Sequence, residues 1–207
     1  MIEVSQREDG RYVIVDGQHR VRAVLDKWGP RTRVWCKIHR DLYITQEARL
    51  FYVLNQRRNL QAYDSFRALY VAGDEFTVDI VKVPADHGLK ISNGTHRAGV
   101  GAVAAVRKSA KFGMQTLGDA LSVLELAWGM DACTWDGYLI EGMSSFVDHY
   151  PGADLYMLAK RLKAYRGGAT AFLWNAKGVH DMLKKTTVRA VAWQLADTHN
   201  RGRGGGS

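Results

Sequence analysis

Residues 16–23 read Asp-Gly-Gln-His-Arg-Val-Arg-Ala, directly after the apolar run Tyr12, Val13, Ile14, Val15. A strand, a glycine and then a helix start place unpaired backbone N–H groups at a helix N-terminus, where an anion is held by hydrogen bonds and by the helix dipole. Gly17 permits a sharp turn and a close backbone approach to a ligand. Arg20 offers a planar two-donor fork, Arg22 projects nearby, and His19 donates or accepts a proton near neutral pH. Asp16 is the only carboxylate of the octet. It can position a metal or a water, with His19 as proton shuttle, or it can cap the turn or pair with an arginine, and the pairing role is the commoner one. The bland alternative is an ordinary strand-to-helix turn with solvated basic residues.

The octet resembles the Gly-x-x-Arg-x-x-Ala signature of the ParB/sulfiredoxin superfamily, in its Asp-Gly-x-His-Arg form. The match extends in order along residues 2–73: strands Ile2–Gln6 and Arg11–Val15, a motif helix from Gly17 to about Trp28, a strand Arg33–His39, and a helix starting near Thr45. Asn55-Gln56-Arg57-Arg58-Asn59-Leu60 then resembles the family's second nucleotide-contacting segment. The resemblance implies a pocket for a nucleotide or other phosphate formed by Gly17, Gln18, His19, Arg20 and Arg22, closed by Asn55, Gln56 and Arg57. It further implies a nucleoside triphosphate, CTP or ATP, with Mg2+, and a label found in phages and mobile elements, the ParB-like nuclease. Gln18 stands where sulfiredoxins carry a catalytic cysteine, so sulfinic-acid repair is not expected. With Arg57 on the family arginine, Val53 and Leu54 occupy the places of the metal-holding Glu-Asn pair of ParB proteins.

The elements that must position these residues are read from periodicity. Leu50, Phe51, Val53 and Leu54 are expected to turn toward the sheet, and Tyr63–Ala72 forms another helix closed by Gly73. After Asp74 strand signals fade and helical periods follow over 74–86, 99–111, 116–128, 138–150, 153–165 and 179–196. Leu117, Leu121, Leu124 and Trp128 form a core stripe. Pro84–Gly101 leaves room for a helix-turn-helix of the sort ParB relatives carry. The expected architecture is therefore α+β: a ParB/sulfiredoxin-like lobe over 1–73, an all-helical lobe over 74–199, and a disordered Gly/Arg-rich tail over 200–207.

The net charge of +8 is unevenly placed. Residues 160–207 hold ten Lys/Arg against Asp181 and Asp197, leaving 19 residues of each sign in 1–159. Such asymmetry points to a phosphate-rich polymer, and Lys160, Arg161, Lys163, Lys184, Lys185 and Arg189 are the expected DNA contacts. A solvated basic face is the alternative. Apolar residues make up 46% of the chain, which indicates a folded protein. No apolar run approaches the ~20 residues of a membrane span, and the N-terminus lacks a signal-peptide core, so the expected location is cytoplasmic, without membrane contact. Cys36 and Cys133 are too few for a disulfide framework and are expected to be buried. The seven histidines show no His-x-x-x-His spacing, and no metal site is expected from them. The function expected is a DNA-associated, ParB-like protein that binds a nucleotide or phosphate, with nuclease or nucleotide hydrolase activity open and a homodimer compatible with it. The rivals are a non-catalytic DNA-binding or regulatory module and a small-molecule phosphotransferase of the same superfamily.

Overall fold

The computed structural model describes residues 1–56, 61–183 and 186–201. Arg57, Lys184, Lys185 and most of the Gly/Arg-rich tail thus lie outside the described residues. The chain is α+β and mostly helical, and it divides into two compact units, Met1–Val78 and Asp79–Ser207. The sequence places a boundary after residue 73; the division falls five residues later, inside a helix.

In the first unit, β1 (Ile2–Gln6) is the central strand of three, in the order β2-β1-β3. It pairs antiparallel with β2 (Tyr12–Asp16), with Val4 opposite Ile14 and Gln6 opposite Tyr12. The hairpin closes through Gly10 in the left-handed region (φ 77°), and the Asp9 carboxylate accepts from the Arg11 backbone N–H at 3.0 Å. The first helix, α1 (Gln18–Trp28), follows β2 and ends at Gly29. The chain returns as β3 (Cys36–Arg40), parallel to β1, with Ile2 opposite Cys36 and Gln6 opposite Arg40. The ladder begins three residues later than the apolar pattern from Arg33 suggests.

Next, α2 (Ile44–Asn55) starts where the Gln46 side chain accepts from the Tyr43 backbone N–H at 2.9 Å, and it packs on β2 and on α3 (Ala62–Val71). Leu50, Phe51 and Leu54 are half-buried, whereas Val53 is exposed, contrary to the expectation that it faces the sheet. The buried positions of α2 are Glu47 and Asn55. The Arg7 guanidinium grips Glu47 through Nε–Oε1 at 2.9 Å and Nη2–Oε2 at 2.6 Å. That pairing holds the Glu47 carboxyl below the usual glutamate range despite the opposing effect of burial.

Gly73 (φ 74°) ends the α3 segment, and Asp74 caps α4 (Glu75–Asp86) by accepting from the Thr77 backbone N–H at 2.9 Å and the Thr77 hydroxyl at 2.6 Å.

Four expectations are corrected, three within the second unit and one, the burial of the cysteines, in both units. Residues 84–101 hold the end of α4 and a two-residue parallel pair, β4 (Lys90–Ile91) and β5 (Gly99–Val100), rather than a helix-turn-helix. Gly99 therefore begins no helix: a Cβ there would lie 2.1 Å from the His96 ring, so the glycine is needed for that close approach. The expected last helix over 179–196 is two helices, α9 (Gly168–Leu183) and α10 (Thr187–Asn200), and the Thr186 hydroxyl caps the second. Both cysteines are exposed.

The remaining helices are α5 (Val103–Ser109), α6 (Met114–Trp128), α7 (Gly137–His149) and α8 (Leu155–Lys163). Asp136 caps α7 and Asp154 caps α8, each accepting a backbone N–H at 2.8 Å. At the centre α7 packs against α5, α6 and α10. Leu117, Leu121, Leu139, Ile140, Met143, Phe146, Leu158, Phe172, Val191 and Leu195 form its core. Trp128 is half-buried and donates its indole N–H to the Leu162 carbonyl at 3.1 Å. Among the described residues no helix is long and apolar enough to cross a membrane.

Candidate functional site

The turn from β2 into α1 depends on Gly17, whose φ of 98° lies in the left-handed region. A Cβ there would also lie 3.1 Å from Arg20 Nη2, so the guanidinium folds back over the glycine. Arg20 Nη2 donates to Asp16 Oδ2 at 2.7 Å, from the first turn of α1 back to the end of β2, and its Nη1 donates to the Met1 carbonyl. Arg20 thus ties the motif to the start of β1. Asp16 is engaged in this ion pair and its side chain is mostly buried. The N-cap of α1 is Gly17 itself, which brings no side chain over the leading N–H groups of the helix.

Beside this turn lies a cavity of about 540 Å³ lined by Val15, Asp16, Gly17, Gln18, His19, Arg20, Phe51, Asn55 and Asp64. Gln18 and His19 are exposed; Asn55 is buried and donates its amide to the Phe51 carbonyl at 2.8 Å. Five consecutive motif residues, Asp16 to Arg20, meet Asn55 here, although α1, β3 and most of α2 separate them in the chain. Arg22 and Gln56 are exposed and are not among the lining residues, and Arg57 lies outside the described ones.

Asp64 is the residue that sequence reasoning missed. It sits in the first turn of α3, where a carboxylate suits the helix dipole, so its local pattern carries a sufficient structural explanation and no signal of a site. Its presence changes the electrostatics. The cavity holds one guanidinium already answered by Asp16, plus a second carboxylate, and is not a simple basic cleft. Among the described residues no group of three or more His, Cys, Asp or Glu is arranged to hold a metal.

In the second unit the expected DNA contacts are dispersed. Lys160 and Lys163 are exposed on the last turn of α8, and Arg189 is exposed near the start of α10. Arg161 is half-buried: its Nη1 donates to the carbonyls of Thr198 (3.3 Å) and His199, at the C-terminal end of α10. Lys184 and Lys185 lie outside the described residues.

Fold and cavity together define an α+β protein whose Asp-Gly-Gln-His-Arg turn opens on a pocket in the smaller unit. The chain belongs to a family of unknown function, DUF6551, whose pattern matches residues 2–171, which span the first unit and part of the second. No curated protein and no solved structure matches it.

Proposed function

We propose that the protein is a DNA-associated, ParB-like protein whose first unit seats a phosphate group, that of a nucleotide or of DNA, at the N-terminus of α1. The observation that carries this reading is the left-handed Gly17 at the N-cap of α1, lining a cavity of about 540 Å³ with Gln18, His19 and Asn55. The β2-β1-β3 sheet, with α1 between β2 and the parallel β3, is compatible with the ParB/sulfiredoxin-like lobe. DNA association rests on the resemblance and on the excess of basic residues in the last quarter of the chain.

In this reading the backbone N–H groups of Gln18 and His19, with the His19 ring, contact the phosphate. Arg20 is a positioning residue that holds the turn through Asp16 and Met1. A second reading, hydrolysis, is favoured by Asp64. Mg2+ is commonly held by one or two carboxylates together with a substrate's own phosphate oxygens. Asp64 lines the cavity outside the Asp16–Arg20 pair, so Asp64 together with the nucleotide's own phosphate oxygens would hold the ion, which would supply charge neutralisation at the phosphates.

The test is a nucleotide panel, with and without Mg2+, read as thermal stabilisation of wild type and Gly17→Ala. A ligand at 100 times its dissociation constant adds about 2.7 kcal/mol of stability. The expected outcome is a response in wild type that Gly17→Ala loses, because the new Cβ strains the turn and crowds Arg20. Equal responses in the two proteins remove the motif from the site. Dependence of the response on Mg2+, lost in Asp64→Asn, selects the hydrolytic reading.

A further inference from the structure

The second unit contains a cavity of about 530 Å³ whose walls are Arg161, Ala164, Tyr165, Arg166, Asn175, Thr198 and Arg201. Three arginines line it, and no aspartate or glutamate does among the described residues. They come from separate places: the last turn of α8, the turn that follows, and the residue ending α10. Arg161 is fixed by the Thr198 and His199 carbonyls, which orient its planar fork and take up its Nη1 donors while leaving Nε and Nη2. Arg201 donates Nε and Nη2 to a single oxygen of Asp197, at 2.9 and 2.7 Å, which leaves its Nη1 donors unused by that pair. Arg166 is exposed in the turn and makes no ion pair among the described residues.

The hydroxyl of Tyr165 adds a neutral donor. It accepts from Gln194 Nε2 at 3.1 Å and from the Asn175 amide. A phenol oxygen has two acceptor positions and one proton. With both positions taken, the proton is left to donate, and Tyr165 lines the cavity. Gln194 is buried and its Oε1 has no partner, so its amide is held by the tyrosine alone.

Three arginines around one cavity, each keeping N–H donors not used by these contacts, together with an O–H donor, match the oxygens of a phosphate group. We infer that this cavity is a phosphate-binding site, separate in the chain from the Asp-Gly-Gln-His-Arg turn and independent of that turn's assignment. The phosphate belongs either to a nucleic-acid backbone or to a small phosphorylated molecule. In the first case the site supplies the DNA contact that the proposed function attributes to the basic last quarter, and it moves that contact to Arg161, Arg166 and Arg201.

The experiment titrates the full chain with inorganic tripolyphosphate by calorimetry and with a short DNA duplex by fluorescence anisotropy, at fixed salt. The proteins are wild type, Arg166→Ala/Arg201→Ala, Tyr165→Phe, Lys160→Ala/Lys163→Ala and Gly17→Ala. At least one probe is expected to bind wild type and to weaken about tenfold or more in the arginine double variant, the loss that follows from removing charged hydrogen bonds. Tyr165→Phe weakens the same probe by a smaller factor. Loss confined to tripolyphosphate assigns a small phosphorylated ligand; loss confined to the duplex assigns the nucleic-acid backbone. Arg166→Ala alone, at an exposed turn residue, reads the same loss if the double variant fails to fold. The inference is overturned if neither probe binds wild type or if the arginine variants bind as wild type does. It is also overturned if the lysine pair matters as much as the arginines, which is general charge attraction. If Gly17→Ala removes tripolyphosphate binding, the phosphate sits at the first unit's turn and the second cavity is not its site.

Discussion

The two units bury apolar surface very differently. Among the described residues, the buried apolar side chains of the first unit are Ile2, Val4, Val15, Phe66 and Ala68, and α1 has none; the other buried apolar side chains lie in the second unit. Leu25 and Trp28 of α1 are 42% and 61% exposed, and Trp35, just before β3, is 94% exposed. In the second unit Trp135, Phe146 and Phe172 are essentially inaccessible. Burial of apolar surface is the main favourable term in folding, so the motif turn stands on the thinner scaffold, held largely by its ladder and by polar ties such as Arg7–Glu47 and Asp16–Arg20. The second unit is a packed helical body that carries the arginine cavity.

The sharpest way to break this contrast is Trp135→Ala. Removing a fully buried indole is expected to cost about 3–5 kcal/mol, and the loss should appear in the second unit. Amide hydrogen exchange checks it: protection is expected to fall in α6 and α7, while α1, expected to exchange faster in wild type because none of its residues is buried, changes little.

A smaller effect is expected at Gly142. A Cβ there would lie 2.4 Å from Val191 Cγ1 and 3.3 Å from the Val188 carbonyl oxygen. Gly142→Ala is therefore expected to lower stability by about 1–3 kcal/mol through overpacking, in spite of alanine's better helix propensity. Chemical denaturation measures it, and a stabilised variant would show that α7 and α10 can move apart freely.

The mildest test uses pH. Arg7 lowers the folded-state pKa of Glu47, chiefly through their paired hydrogen bonds. A depressed carboxyl pKa contributes stability that is fully present above the unfolded value of about 4.3 and is lost as pH falls through the lower folded value. The first unit is thus expected to lose stability below about pH 4, and Glu47→Gln to remove part of that dependence. Melting curves of both proteins from neutral pH downward give the answer.

Much of the first unit was legible because its signals are local. Alternation gives β1 and β2, Gly17 gives the turn, and Gly73 with Asp74 marks the next break. The α6 stripe was equally plain, since Leu117, Leu121 and Leu124 recur at helical spacing and are all buried. What escaped depends on distant partners. Asp64 joins the cavity only because α3 folds back toward the motif. Gly99 and Val100 carry no strand signal and pair because Lys90 and Ile91 lie beside them. The break before α10 had a signal, Thr186, but the apolar period running through it suggested one long helix. Cys36 sits in an apolar context and is exposed because β3 is an edge strand with little covering it.

The exposure of both thiols has a practical side. The chain contains two cysteines, Cys36 in the first unit and Cys133 in the second, and both are open to solvent. Nature has thereby supplied one attachment point for a dye on each body without any substitution. A donor and an acceptor fluorophore on these two sulfurs would act as a ruler between the bodies, reporting from one molecule at a time whether a ligand brings them nearer or lets them drift.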